Sequence, residues 1–226
     1  MILALARPLT LVAVLALVLA ACTATGASSP PSEAPTGAAG SPSVVGGCPT
    51  AQPPALAAGE TRDVTIATDL GSIVVHVEAD LSPIAAGNFV ALADCGWNDG
   101  VVFHRIVPGF VIQGGDGENG RSPNVDPVTV GQGGPGYTIK DEPVTATYQR
   151  GVVAMARTPA PDSVGSQFFI VLDDEARGSL AQANTYQIIG SVTSGMEAVD
   201  AIAAAAAGVE IPSDPVVMSD VNVATP

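Results

Sequence analysis

The sequence predicts a mostly β fold, a closed antiparallel barrel plugged at its ends by two helices. Short apolar runs with residue-by-residue alternation recur along most of the chain, each bounded by turn residues, as expected of strands that bury one face. Only two segments, near residues 83–95 and 196–208, repeat apolar residues at helical spacing. At 226 residues the chain is long enough for one well-buried domain with additional segments.

The elements follow in order. Asp63–Thr68 and Ser72–Glu78 flank Asp69-Leu70-Gly71, whose glycine can take the positive φ of a short hairpin loop. Ser82 then offers an N-cap and Pro83 the first helical position; Ala85, Phe89, Leu92 and Ala93 supply an apolar face, and Gly96 stops the helix. A strand over 101–107 puts Val101, Phe103, Arg105 and Val107 on one face and Val102, His104 and Ile106 on the other, before Pro108-Gly109 turns the chain. A second strand from Phe110 sends Phe110 and Ile112 one way and Val111 and Gln113 the other, until Gly114-Gly115. Gly117–Val130 is polar and aperiodic and reads as a loop. Gly151–Ala156, Phe168–Leu172, Tyr186–Val192 and Val216–Val223 complete the expected strands, with Met196, Val199, Ile202 and Ala203 marking the second helix and Gly208 its end.

The N-terminal segments carry no core. Arg7 precedes the apolar run Leu9–Leu19, too short to span a bilayer comfortably and ordered like a secretory signal over residues 1–21. The run ends in Leu19-Ala20-Ala21-Cys22, which resembles a bacterial lipobox and implies lipidation of Cys22; an ordinary signal with a coincidental cysteine is the alternative. Residues 22–47 are rich in Pro and Gly and contain no aromatic residue, so they form a disordered tether. A flexible chain of that length spans roughly 25–30 Å. Residues 48–61 are a lead-in, and 62–226 the folded domain. An extracytoplasmic, membrane-anchored location follows from this reading.

Net charge is −14, and all 22 acidic residues lie beyond Cys22. Nucleic-acid binding is therefore not expected, nor is a polybasic membrane patch, because the remaining Lys and Arg are scattered from Arg62 to Arg177. The acid surplus reads as a solvated surface. His76 and His104 stand near no cluster with metal-ligand spacing, so no metal is expected. Gly165-Ser166-Gln167 lacks the second glycine of a nucleophile elbow, and the Gly114, Gly115, Gly117 cluster has no P-loop lysine after it. His104 reads as a packed barrel residue.

The stretch Phe103–Asp116, Phe-His-Arg-Ile-Val-Pro-Gly-Phe-Val-Ile-Gln-Gly-Gly-Asp, closely resembles the signature of the cyclophilin-type peptidyl-prolyl isomerases. Three further blocks stand in the order expected of that family: Asn88–Leu92, Gly133–Tyr137 with Asp141-Glu142, and Met155–Arg157 leading into Gly165–Ile170. Together they cover roughly residues 62–224. The resemblance implies an eight-stranded barrel and prolyl isomerisation without a cofactor, on proline-containing polypeptides. It implies Arg105 as the group that favours the twisted amide, oriented by Gln113. It implies an apolar proline slot of Phe110, Val111, Phe169 and Leu180, with Tyr186 at the rim. Ala156 and Arg157 would pair with the peptide main chain through their backbone, so the identity of residue 157 is only a modest constraint. Gly131 and Gln167 would line a neighbouring pocket.

Two departures stand out. Val111 replaces a common methionine, and Leu180–Tyr186 lacks the tryptophan often found there, which implies weakened binding of cyclosporin-like inhibitors. The 117–130 loop is longer than in compact cyclophilins. With Cys22 lipidated, Cys48 and Cys95 are expected to form a disulfide in an oxidising compartment, two buried thiols being the alternative. The expected activity is isomerisation of X-Pro bonds in secreted or envelope proteins by a monomer. The rival is a non-catalytic proline-peptide-binding or chaperone module, against which the presence of Arg105 and Gln113 weighs, because binding alone needs no arginine.

Overall fold

A computed structural model of the chain describes residues 44–45 and 47–224. The expected signal segment, Cys22 and all but the end of the tether lie outside the described residues. The tether's end is paired rather than free: β1 (Val44–Val45) runs antiparallel to β2 (Cys48–Pro49). The lead-in then lies along the first helix, α1 (Pro83–Asp94). The Leu56 N–H donates to the Pro83 carbonyl at 3.1 Å. A Cβ on Gly87 of α1 would come within 2.4 Å of the Pro54 carbonyl oxygen, so a glycine is what allows this approach. Cys48 is joined to Cys95 by a disulfide, with their Cα atoms 5.1 Å apart.

Beyond these come β3 (Thr61–Thr68), β4 (Gly71–Glu78), β5 (Arg105–Val107), β6 (Val111–Gly114), β7 (Val152–Met155), β8 (Phe168–Val171), β9 (Ile188–Ser194) and β10 (Asp220–Ala224). They form one antiparallel sheet in the order β10-β3-β4-β9-β7-β8-β6-β5. The sheet curls into a half-barrel and does not close, a correction to the barrel expected from sequence. Its free edges are β5 and β10, and the seam is crossed by a single bridge, Val102 to Val217, with a few flanking bonds such as Phe103 N–H to Val216 carbonyl at 2.9 Å. The segment that would have to complete the ladder contains Pro212 and Pro215, which offer no N–H, and β5 has only three residues.

Among the described residues three α-helices are present rather than two: α1, α2 (Arg177–Ala183) and α3 (Met196–Ala205). Helix α2 follows a short 3₁₀ turn at Asp174–Ala176 and has neither a side-chain cap nor a run long enough to show a period. Pro83 opens α1 as expected, but Ser82 does not cap it; its hydroxyl donates to the Leu81 carbonyl. The distant Glu142 carboxylate takes that place, accepting the Ile84 and Ala85 N–H groups at 2.9 Å each. A carboxylate there also meets the positive end of the helix dipole.

The sheet separates two apolar clusters. Inside the curl, Ile66, Val75, Ile112, Ile170 and Phe168 pack against Phe89 of α1 and Val199 and Ile202 of α3. Phe168 meets the edges of Phe89 and Phe103 at centroid distances of 5.1 and 6.3 Å. On the opposite face of the same strands, Val111, Ala154, Phe169 and Ile188 form a second cluster with Tyr148 and Leu180. Alternation along β6 and β8 divides the two, and the outer cluster becomes the floor of the site.

Candidate active site

Cross-strand register brings the site together. Arg105 pairs with Gln113, Gln113 with Phe169, and Phe169 with Ala154, so β5, β6, β8 and β7 present one row of side chains on one face. Around this row lies a groove of about 320 Å³ lined by Arg105, Phe110, Val111, Gln113, Ala156, Arg157, Phe169, Leu180 and Tyr186. Val111, Phe169 and Leu180 are buried and make its floor, whereas Phe110 and Tyr186 are half-buried walls. The Tyr186 ring meets Phe169 edge-on at 5.4 Å. The Tyr148 hydroxyl, buried beneath, donates to the Tyr186 carbonyl at 2.8 Å. Burial pushes the Tyr148 phenol up to about 12, so it is a donor throughout the neutral range.

The polar groups form a chain across the groove. The Arg105 Nε–H donates to Glu210 Oε1 at 2.7 Å, and its Nη1 to Gln113 Oε1 at 3.4 Å. Gln113 Nε2 donates to Gln167 Oε1 at 2.9 Å, and Gln167 Nε2 to the Gly133 carbonyl at 2.9 Å. Gln113 and Gln167 reach into a second pocket of about 430 Å³, which Gly131 also lines. Gly131 has φ +89°, and a Cβ there would stand 3.3 Å from the His104 ring. That pocket's wall is held by Asp116, fully buried, whose carboxylate accepts the N–H groups of Asn119, Gly131 and Gly133 at 2.7–3.0 Å.

Arg157 departs from the sequence reading. Its side chain is only 8% exposed and pairs with Asp141 at 2.8 Å. It also donates to the carbonyls of Thr158 (3.1 Å), Ala160 (2.7 Å) and Thr185 (3.4 Å). One guanidinium thus ties the 158–163 loop to the segment carrying Tyr186, and residue 157 is a strong constraint because a planar fork is needed to reach all of them. The Ala156 N–H is committed to the Gln167 carbonyl at 2.9 Å.

Sequence reasoning missed Glu210, Asp116 and the Arg157–Asp141 pair. Asp116 and Asp141 stand inside the quoted motif blocks, so an acid without an assigned role there was the available signal. Glu210 had none. His104 is buried, its ring nitrogens lack hydrogen-bond partners among the described residues, and burial pushes its pKa down. Trp97 points its indole N–H at the Gly115 carbonyl, 3.4 Å away, and does not line the groove.

Comparison with known proteins gives a consistent picture. Residues 63–223 match the family model for the cyclophilin type peptidyl-prolyl cis-trans isomerase. A probable peptidyl-prolyl cis-trans isomerase of Brucella abortus is 37% identical over 150 residues, covering 66% of this chain and 74% of its own. Peptidyl-prolyl cis-trans isomerase A of Dickeya dadantii is 35% identical over 155 residues, covering 68% and 77%. Among solved structures, a cyclophilin type isomerase of Cryptosporidium parvum aligns with a TM-score of 0.61 at 28% identity, over 74% of this chain and 99% of its own. With the groove, its arginine and these relatives in place, the chain belongs to the cyclophilin-type peptidyl-prolyl cis-trans isomerases.

Proposed function

We propose that this isomerase acts on X-Pro bonds of secreted or envelope polypeptides and assists their folding outside the cytoplasm, held to the membrane through a lipidated Cys22. The row Arg105–Gln113–Phe169 over an apolar floor carries the catalytic part of this reading. Rotation about an X-Pro bond is slow because it breaks C–N resonance, with a barrier of about 18–20 kcal/mol. As the bond twists, the prolyl nitrogen recovers its lone pair. A guanidinium held beside the ring slot donates to that nitrogen and stabilises the twisted state over both planar ones. Gln113 and Glu210 fix the guanidinium, and Phe110, Val111, Phe169, Leu180 and Tyr186 hold the ring. With the Ala156 N–H already used, the Ala156 carbonyl and Arg157 N–H remain at this edge to pair with the peptide main chain.

A structure of the Cryptosporidium parvum relative was determined in the presence of the dipeptide Ala-Pro, which supports a proline ligand for the same groove. The lipid anchor rests on Leu19-Ala20-Ala21-Cys22 and the Pro- and Gly-rich stretch after it. Isomerisation of a proline tetrapeptide, compared between the native chain and Arg105→Ala, tests the chemistry; equal rates would refute it. Membrane partitioning of a Cys22→Ala variant tests the anchor, and correctly cleaved mutant that still requires detergent would overturn it.

A further inference from the structure

The 117–130 loop, to which sequence analysis gives no role, folds against the 207–217 segment. Val125, Pro127 and Val130 from one face Ile211, Pro212 and Pro215 from the other across a crevice of about 140 Å³, with the buried His104 ring in its wall. Among the described residues, three of the four exposed large hydrophobic side chains stand on these two segments: Val128 at 77%, Val209 at 55% and Ile211 at 54%. Of these Ile211 lines the crevice, and Val128 and Val209 stand within two residues of its lining in sequence; grouped exposed apolar residues mark binding sites more often than lone ones do. No carboxylate or cationic side chain lines the crevice. Burial keeps His104 neutral there as well.

Its position relative to the groove decides what it takes. Ile211 directly follows Glu210, whose carboxylate holds Arg105 at 2.7 Å and whose carbonyl accepts the Ile106 N–H at 2.8 Å. Val130 directly precedes Gly131 of the second pocket. The crevice therefore adjoins the second pocket, because the His104 ring that walls it lies against Gly131, where a Cβ would stand 3.3 Å away, and it begins one residue beyond the carboxylate that holds Arg105. A polypeptide leaving the groove on that side advances about 3.3 Å per extended residue. The crevice's volume is close to that of an apolar protein cavity of about 150 Å³ known to hold benzene.

We propose that this crevice is a substrate subsite that takes one branched aliphatic or aromatic side chain of the client polypeptide whose proline occupies the groove. The proposal rests on the isomerase reading above. It makes the loop a selectivity device, favouring clients with an apolar residue at a set distance from proline.

The test uses the full-length chain and a series of decapeptides of alanine, glycine and lysine around one proline, with a single leucine or phenylalanine moved along each flank. Exchange NMR gives kcat/KM for each, and a plain proline tetrapeptide is the reference. One flanking position, or two neighbouring ones, should raise kcat/KM by about tenfold, equivalent to about 1.4 kcal/mol. Ile211→Ser, which removes a wall, and Ser213→Trp, which fills the space, should each erase that gain while tetrapeptide turnover stays unchanged. Equal turnover of all decapeptides, or a positional gain that survives both variants, overturns the subsite. Concentration-dependent dimerisation abolished by Ile211→Ser overturns it too, in favour of a second copy as the occupant. Absence of tetrapeptide turnover in the native chain would instead overturn the isomerase reading itself.

Discussion

Replacing Arg105 by alanine should separate catalysis from stability, and the structure supplies both magnitudes. Arginine carries five N–H donors. One goes to Glu210 and one to Gln113, which leaves the remainder of a fixed fork for the substrate. Losing a single preorganised donor to developing charge typically costs roughly 100- to 1000-fold in rate, about 2.7–4 kcal/mol. Stability should change far less. The Arg105–Glu210 pair is half open to solvent, with side-chain exposures of 37% and 58%, and such pairs contribute about 0–1 kcal/mol. Arg105→Ala should therefore lose about two to three powers of ten in kcat/KM on a proline tetrapeptide, measured by exchange NMR, with its urea midpoint nearly unmoved. Arg105→Lys should fall between, since an ammonium keeps the charge but cannot reach Glu210, Gln113 and a ligand in one plane. Turnover of Arg105→Ala within about threefold of native would refute the reasoning, because it would show that the groove lowers the barrier without its guanidinium.

The bridge Cys48–Cys95 closes a separation of 47 residues, which in the chain-entropy account stabilises the domain by about 4 kcal/mol; a Cys48→Ser, Cys95→Ser double variant should lose roughly 2–4 kcal/mol in urea unfolding, and alkylation before reduction should label neither thiol. His104 is held neutral by burial, below its ordinary value of 6.5. The unfolded chain therefore takes up a proton that the fold resists, and stability should decline as pH drops below 6.5, by at most about 1.4 kcal/mol per unit. His104→Gln should remove that component between pH 7 and 5.5, and an unchanged pH dependence would refute the assignment. Cyclosporin should bind about one to two powers of ten more weakly than to relatives with a rim tryptophan, since an indole offers both apolar area and a donor worth together about 1–3 kcal/mol; low-nanomolar affinity in a titration would refute this.

Features set by neighbours in sequence were legible in the sequence; of those set by distant segments, the Cys48–Cys95 bridge was expected, but most were not. The β3–β4 hairpin needs only alternation and one permissive glycine, and Thr68 pairs with Gly71 at φ +128° where the loop was expected. Strand period likewise separates Val111 and Gln113 from Ile112 within β6, whereas Phe169 stands beside them through the β6–β8 register and was expected there only from the family resemblance. Helix α2 failed the same method because its seven residues, Arg-Gly-Ser-Leu-Ala-Gln-Ala, hold too few apolar positions to show a period. Leu180 nonetheless reaches the groove floor, carried there by the 3₁₀ turn before it. Barrel closure failed because it depends on how the 207–217 segment meets β5 across the seam, which no local pattern encodes.

The polar framework of the site shows the same division at finer scale. Glu210 lies 105 residues from Arg105, in a segment with neither motif nor period, so only the folded chain brings the carboxylate to the guanidinium. Asp141-Glu142 was visible as a motif block but not as two separate clamps. Folding sends Glu142 to the first turn of α1 and to the Gln187 side chain, at 3.1 Å. It sends Asp141 to Arg157, and so to the rim that carries Tyr186. Neither acid touches the groove, yet together they fix the helix that backs it and the edge that receives the peptide. Conservative substitutions at 141 should therefore loosen substrate binding before they lower the rate of the bound complex, because what the ion pair holds in place is the peptide's edge rather than Arg105.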